Sequence, residues 1–112
     1  MPTAKSFYDV SSSSASVNSN LVRPLSGGYS INVVLSESTY NVDVKLQVSG
    51  DGTTWTDITG ASQAGVANGA NQVHFDINAG YHAFVRVVIT RNSGTFSASC
   101  YLSNERQSWV TP

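Results

Sequence analysis

VDVKLQVSGDGTTWTDI, residues 42–58, is the stretch that decides the fold. Val42, Val44, Leu46 and Val48 alternate with Asp43, Lys45 and Gln47, the period-2 pattern of a strand with one dry face and one wet face. Ser49-Gly50-Asp51-Gly52 then supplies a tight turn, because glycine and aspartate tolerate the positive φ angles that hairpin turns need. Residues 53–58, TTWTDI, are expected to return as a β-branched and aromatic strand, with Trp55 covering the core. The segment reads as a β-hairpin.

Toward the C-terminus, residues 59–71, TGASQAGVANGAN, read as the longest loop, with Gly60, Gly65 and an Asn68-Gly69 turn signal. A long loop in a small domain is commonly a contact element, and small uncharged residues suit close packing against a partner surface. Residues 72–77 form a strand with Val73, Phe75 and Ile77 inward, and residues 78–80 turn the chain. Residues 81–90 carry Ala83, Val85, Val87 and Ile89 on one face and Phe84 and Val88 on the other. Two apolar faces mark a central strand, or one whose outer face meets another subunit. After a turn at 92–94, residues 95–102 alternate again, and the 103–112 tail holds Trp109 and Val110.

Toward the N-terminus, residues 29–35 form a strand with Ile31, Val33 and Leu35 facing one way, and residues 15–25 can hold another, anchored by Val17 and Val22. Residues 1–14 are polar and small but contain Phe7 and Tyr8, which a disordered tail has little use for. They fit an extended arm packed on its own domain or a neighbour, and equally a first strand of the sandwich. The expected organisation is therefore an extended N-terminal arm, 1–14, and a β-sandwich domain, 15–112. About seven or eight short strands with no amphipathic helix give an all-β fold, a single antiparallel β-sandwich of jelly-roll or immunoglobulin-like topology.

A chain of 112 residues is one domain and buries enough surface to fold without staples. Charged residues are 12% of the total, against an ordinary value of about 25%, so Ser, Thr, Asn and Gln must make the polar surface. A formal net charge of −1 leaves no basic field for nucleic acid or anionic lipid. Cys100 is the single cysteine and falls on the apolar face of its strand, which fits a buried structural thiol better than a nucleophile. No signal peptide and no membrane-spanning run is expected, which reads as a soluble protein made in the cytoplasm.

The search for chemistry returns little. His74 and Asp76 are two apart on one strand and so share a face, but a zinc site needs further ligands and no cluster of His74, His82 and Cys100 supplies them. The serines form no nucleophile-elbow pattern, and no phosphate-binding glycine motif occurs. Asp51 lacks the spacing of a calcium loop and fits a turn that bonds its own backbone. No metal, cofactor or catalytic residue is expected. Tyr29, Tyr40, Tyr81, Tyr101, Trp55 and Trp109 include enough aromatic surface for a sugar platform, although core and interface roles are the commoner use.

Residues 46–58, LQVSGDGTTWTDI, resemble the S-x-D-G-x-x-W-x-x-I hairpins of discoidin-like modules and of small bacteriophage virion proteins. They also approach the Asp-box of sialidase-type propellers but lack the residue between Asp51 and the glycine. The wider texture, uncharged and rich in Ser, Thr, Asn and Gly, is most similar to that of capsid decoration (cement) proteins of phages. That resemblance implies a non-enzymatic structural protein on the virion capsid surface, with no nucleic acid or membrane partner. Its expected partners are further copies of itself, a trimer above all, and a major capsid protein. The expected contacts are Phe7 and Tyr8 in the arm, Val66 and Asn68 in the 59–71 stretch, and Trp109 in the tail. A phage tail, baseplate or fibre module is the alternative in the same class; a carbohydrate-binding module using Trp55 or exposed tyrosines is the alternative outside it.

Overall fold

In the computed structural model, which describes residues 6–24, 28–77 and 83–104, the alternating segments become eight strands and no helix. They are β1 (Ser6–Ser13), β2 (Val17–Asn18), β3 (Tyr29–Ser36), β4 (Tyr40–Ser49), β5 (Thr56–Ala67), β6 (Asn71–Ile77), β7 (Phe84–Gly94) and β8 (Phe96–Asn104). Two four-stranded antiparallel sheets result, in the orders β1-β8-β3-β6 and β2-β7-β4-β5. Each sheet turns its apolar positions inward: Ile31, Val33, Leu35 and Cys100 from the first, and Val42, Val44, Leu46, Val85 and Val87 from the second, are fully buried. This is the sandwich that the period-2 patterns predict.

The pairs β4·β5, β3·β6, β2·β7 and β1·β8 are all present. They arise when one long two-stranded ribbon, with its tip between β4 and β5, is rolled up until its halves stack as two sheets. Of the two expected topologies, this order is that of the eight-stranded jelly roll.

Four local expectations come out differently. Thr53, Thr54 and Trp55 do not belong to the return strand, which starts at Thr56. The Asp51 carboxylate accepts the Thr53 and Thr54 amides, both at 2.8 Å, and the Ser49 hydroxyl accepts the Gly52 amide at 2.8 Å. These bonds hold the turn open through residue 54, so Trp55 misses the core. Its ring instead stacks beneath the Arg86 guanidinium, 4.4 Å from ring centroid to Cζ. Residues 59–67 are not a loop but the body of β5, and a turn at 68–70 leads to β6. The glycines there mark interruptions of the β4–β5 ladder. Leu46 lies between paired Lys45↔Ser62 and Gln47↔Asp57, so residues 58–61 swing out opposite it, and Ala64-Gly65 oppose Asp43 alone. Gly60 and Gly65 supply the positive φ these bulges need, and Asp43 Oδ1 accepts the Gly65 amide at 2.9 Å.

Residues 6–13 are the edge strand β1, paired with β8, so the strand reading of this segment is the one the structure shows. Phe7, Tyr8 and Val10 pack against the protein's own core. Residues 92–94 do not turn back within a sheet. β7 runs through them to Gly94, and β8 then starts at Phe96 in the opposite sheet.

The thin β2 is extended by a side chain. Ser19 donates its amide to Val87 O at 2.8 Å and accepts the buried Val87 amide on Oγ at 2.8 Å, standing in for a missing ladder carbonyl. Val22 then bridges Val85.

Candidate functional site

Outward positions on the first sheet fall into rows set by register. On β3 they are Ser30, Asn32 and Val34; on β6, Asp76, His74 and Gln72 lie directly opposite them. On β8, Ser103, Tyr101 and Ser99 face the same three residues from the other side, and β1 adds Asp9 beside Ser99. A patch of hydroxyl, amide, imidazole, carboxylate and phenol groups therefore covers three adjacent strands, with Asp9 of β1 at its margin.

Its members are bonded to one another. Ser30 Oγ donates to Asp76 Oδ1 at 2.5 Å, and His74 Nε2 lies 2.8 Å from the same oxygen. A carboxylate and an amide oxygen both only accept, so His74 donates from Nε2 to Asp76 and, where the ring also carries a proton on Nδ1, from Nδ1 to Asn32. His74 Nδ1 lies 2.5 Å from the Asn32 amide oxygen, and Gln72 Nε2 reaches that oxygen at 3.2 Å. Five side chains from two strands thus form one connected chain on an exposed face. The Ser30 hydroxyl first, and His74 second, hold the Asp76 carboxyl below the ordinary carboxylate range. Side chains of His74 and Asp76 remain 47% and 58% exposed, so a solute can reach both.

Beside this patch lies a groove of about 180 Å³, lined by His74, Phe75, Asp76 and Ile77 of β6 and by Thr59, Gly60 and Ala61 of β5. The bulge of residues 58–61 builds its far wall. A wider, open depression of about 430 Å³ lies at the β4–β5 turn, lined by Val48, Ser49, Gly50, Asp51, Thr54, Thr56 and Ala83. Asp51 is held there below the ordinary carboxylate range, first by the Thr54 and Thr53 amides. That carboxylate is spent on its own turn.

The outer face of the second sheet carries a separate network. Arg86 donates to Gln47 Oε1 at 2.8 and 3.0 Å, Gln47 Nε2 donates to Asp57 at 2.8 Å, and Lys45 Nζ lies 3.1 Å from Asp57. Asp57 is pulled below its ordinary range by Gln47 first and Lys45 second.

Among the described residues no group of three or more His, Cys, Asp and Glu lies close enough to hold a metal ion. Cys100 is fully buried, and burial pushes its thiol up to about 12, which leaves it protonated and unreactive. His74 and Asp76 share the exposed face that their spacing predicts. The expected contact residues are not brought together. Phe7 and Tyr8 lie half-buried on the β1 edge, and Val66 is buried in the core on the inner face of β5. Asn68 sits in the turn after β5 with φ 55°, its Oδ1 accepting the Tyr40 amide at 3.2 Å. Trp109, His82, Tyr81 and the expected turn at 78–80 lie outside the described residues.

Asn32, Ser30 and Gln72 are the site residues that sequence reasoning missed. Their polarity at alternating positions was visible, but placing 30 and 32 against 74 and 76 needs a register that alternation does not supply. The fold and site define the class as an eight-stranded jelly-roll β-sandwich with a pre-ordered polar face. No protein-family model matches the sequence, and no curated protein matches it significantly.

Proposed function

We propose that this chain is a non-enzymatic structural protein of a virus particle, a capsid decoration (cement) protein of a phage that associates with copies of itself and with the capsid lattice. One observation carries the reading: the exposed strip formed by the second half of β5 and the turn after it. Ser62, Gln63, Ala64 and Gly65 are exposed in a row, followed by Asn68, Gly69 and Ala70, and none of them is charged. β5 is also an edge strand, so half of its backbone donors and acceptors point away from β4. Small uncharged side chains beside unpaired backbone groups suit close contact with another protein surface. The jelly-roll order adds support at the level of fold, since viral coat domains use it, although lectins do too.

Symmetric self-association is the part that can be tested first. Sedimentation of the purified protein from about 1 μM to about 1 mM, the range of weak to moderate association, should reveal a closed oligomer, a trimer above all. Ala64→Lys places a charge in the strip without touching the core and should return the protein to a monomer. A monomer throughout the series in the unsubstituted protein refutes the reading.

A further inference from the structure

The polar face of the first sheet carries a property that a solvated surface does not need. Exposed Ser, Asn, Gln and His side chains ordinarily bond to water and keep their rotamer freedom. Here Ser30, Asn32, Gln72, His74 and Asp76 are bonded to each other across β3 and β6. Exposed pairs of this kind contribute little to stability. What the network does achieve is to fix the directions of the groups it leaves over.

Those remaining groups form a definite set. The Asn32 and Gln72 amides each use one end inside the network and keep the other end without a partner among the described residues. Asp76 engages Oδ1 twice and leaves Oδ2 over. Tyr101 stands directly across β3 from His74, in the same row as Asn32, with its ring part-exposed. Donors and acceptors at fixed spacing, with an aromatic ring beside them, match a solute that presents several hydroxyls and an apolar C–H face. The patch holds the carboxylate of Asp76, with that of Asp9 at its β1 margin, and among the described residues no Lys or Arg, while both ring nitrogens of His74 are already engaged, so it offers little to an anion. The adjoining groove, about 180 Å³, is smaller than the roughly 300 Å³ at which drug-sized pockets begin, and so admits one small ring.

We infer that the outer face of the first sheet, centred on Asn32, Gln72, His74, Asp76 and Tyr101 and extending into the groove beside β6, is a binding site for a neutral sugar ring. Trp55, the other aromatic candidate, is a poorer platform because Arg86 already covers one of its faces. The inference does not depend on the structural reading above, and it uses a different surface from the Ser62–Ala70 strip.

The test is an NMR titration of the full-length protein, following backbone amides, with methyl α-glucoside, methyl α-mannoside, methyl β-galactoside and N-acetylglucosamine as probes. At least one probe should give saturable shifts confined to residues 30–32, 59–61, 72–76 and 101, with Kd of about 1–10 mM, the range of a few hydrogen bonds to one ring. Asn32→Ala should weaken that binding about tenfold, as one lost hydrogen bond does. Gln72→Ala should act in the same direction, whereas Trp55→Ala should leave binding unchanged. All three positions are on the surface, and retained amide dispersion shows that each variant is folded. No saturable shift with any of the four probes overturns the site. So do shifts centred on Trp55 and Arg86, or binding indifferent to both Asn32→Ala and Gln72→Ala.

Discussion

Gly94 sits where the chain leaves β7 for the opposite sheet, at φ 76°, and Gly94→Ala there combines two separable penalties. The first is conformational: an L-residue in the left-handed region costs about 1–2 kcal/mol relative to glycine. The second is steric. A Cβ at this position meets the Thr39 carbonyl oxygen inside van der Waals contact and lies 2.7 Å from Tyr40 Cα, both of them backbone atoms. Neither neighbour can rotate away. Tyr40 is paired with Gly94 in the β4–β7 ladder, and Thr39 O accepts the Thr95 amide at 3.0 Å. Overpacking of this kind adds about 1–3 kcal/mol, so the total should be about 3 kcal/mol. Two further glycines separate the contributions. Gly69 has φ 83° and open space around its Cβ position, so Gly69→Ala should cost only the conformational part, about 1 kcal/mol. Gly50 has neither a left-handed backbone nor any heavy atom within 4 Å, so Gly50→Ala should be neutral or gain about 0.5 kcal/mol. Urea unfolding resolves the series. With m of about 1–1.5 kcal/mol/M, Gly94→Ala should lower the midpoint by about 2–3 M. If Gly94→Ala and Gly69→Ala shift the midpoint equally, the steric argument is refuted.

Tyr40 is buried, donates its hydroxyl to Gly69 O at 2.7 Å and accepts from Asn71 Nδ2; Tyr40→Phe should cost about 1–2 kcal/mol in the same unfolding assay. Ser19→Ala leaves the buried Val87 amide without its acceptor and should cost about 1–3 kcal/mol, with faster hydrogen exchange at Val87 as the specific signature. At low pH the carboxylates decide. Asp9, Glu37, Asp51, Asp57 and Asp76 all lie below their ordinary range because hydroxyl, amide or amine donors hold the charged form. The unfolded chain therefore takes up protons first, and Tm should fall as pH drops below about 4, the unfolded carboxylate range. A Tm flat down to pH of about 2 contradicts that assignment. On the alkaline side the buried Cys100 thiol is raised from 9.0 to about 12, so its contribution is complete below 9.0 and is lost as pH rises toward 12. Cys100→Ala should flatten the alkaline fall in Tm, whatever it costs at neutral pH.

Strands with one dry face were legible because burial writes period 2 into the sequence. Residues 29–35, 42–48 and 72–77 all lie in strands with the predicted inward residues. The misreadings share a cause. Gly60 and Gly65 are turn residues by composition, but here they permit bulges inside a strand, and nothing local distinguishes the two uses. Trp55 has high strand propensity, yet the hydrogen bonds of Asp51 and Ser49 hold the preceding residues in the turn. The sharing of a face by His74 and Asp76 was readable from spacing alone. Their partners Asn32 and Ser30 were not, because they lie more than forty residues away on a strand whose register only the folded sheet fixes.

The position of β8 has a consequence for how the chain folds. β8 lies between β1 and β3, which precede it in the chain, with paired residues as far apart as Ser6 and Tyr101, and no other described strand pairs with β1. During synthesis β4·β5 and β3·β6 can form as soon as their partners emerge, but the first sheet stays split until β8 arrives. A nascent chain therefore holds the β8-facing edge of β3 open, flanked by Ile31, Val33 and Leu35, for longer than any other part of the core. Long-range closure of this kind makes folding slow, and the open edge is the place where a nascent chain is most exposed to pairing with a neighbour of its own kind.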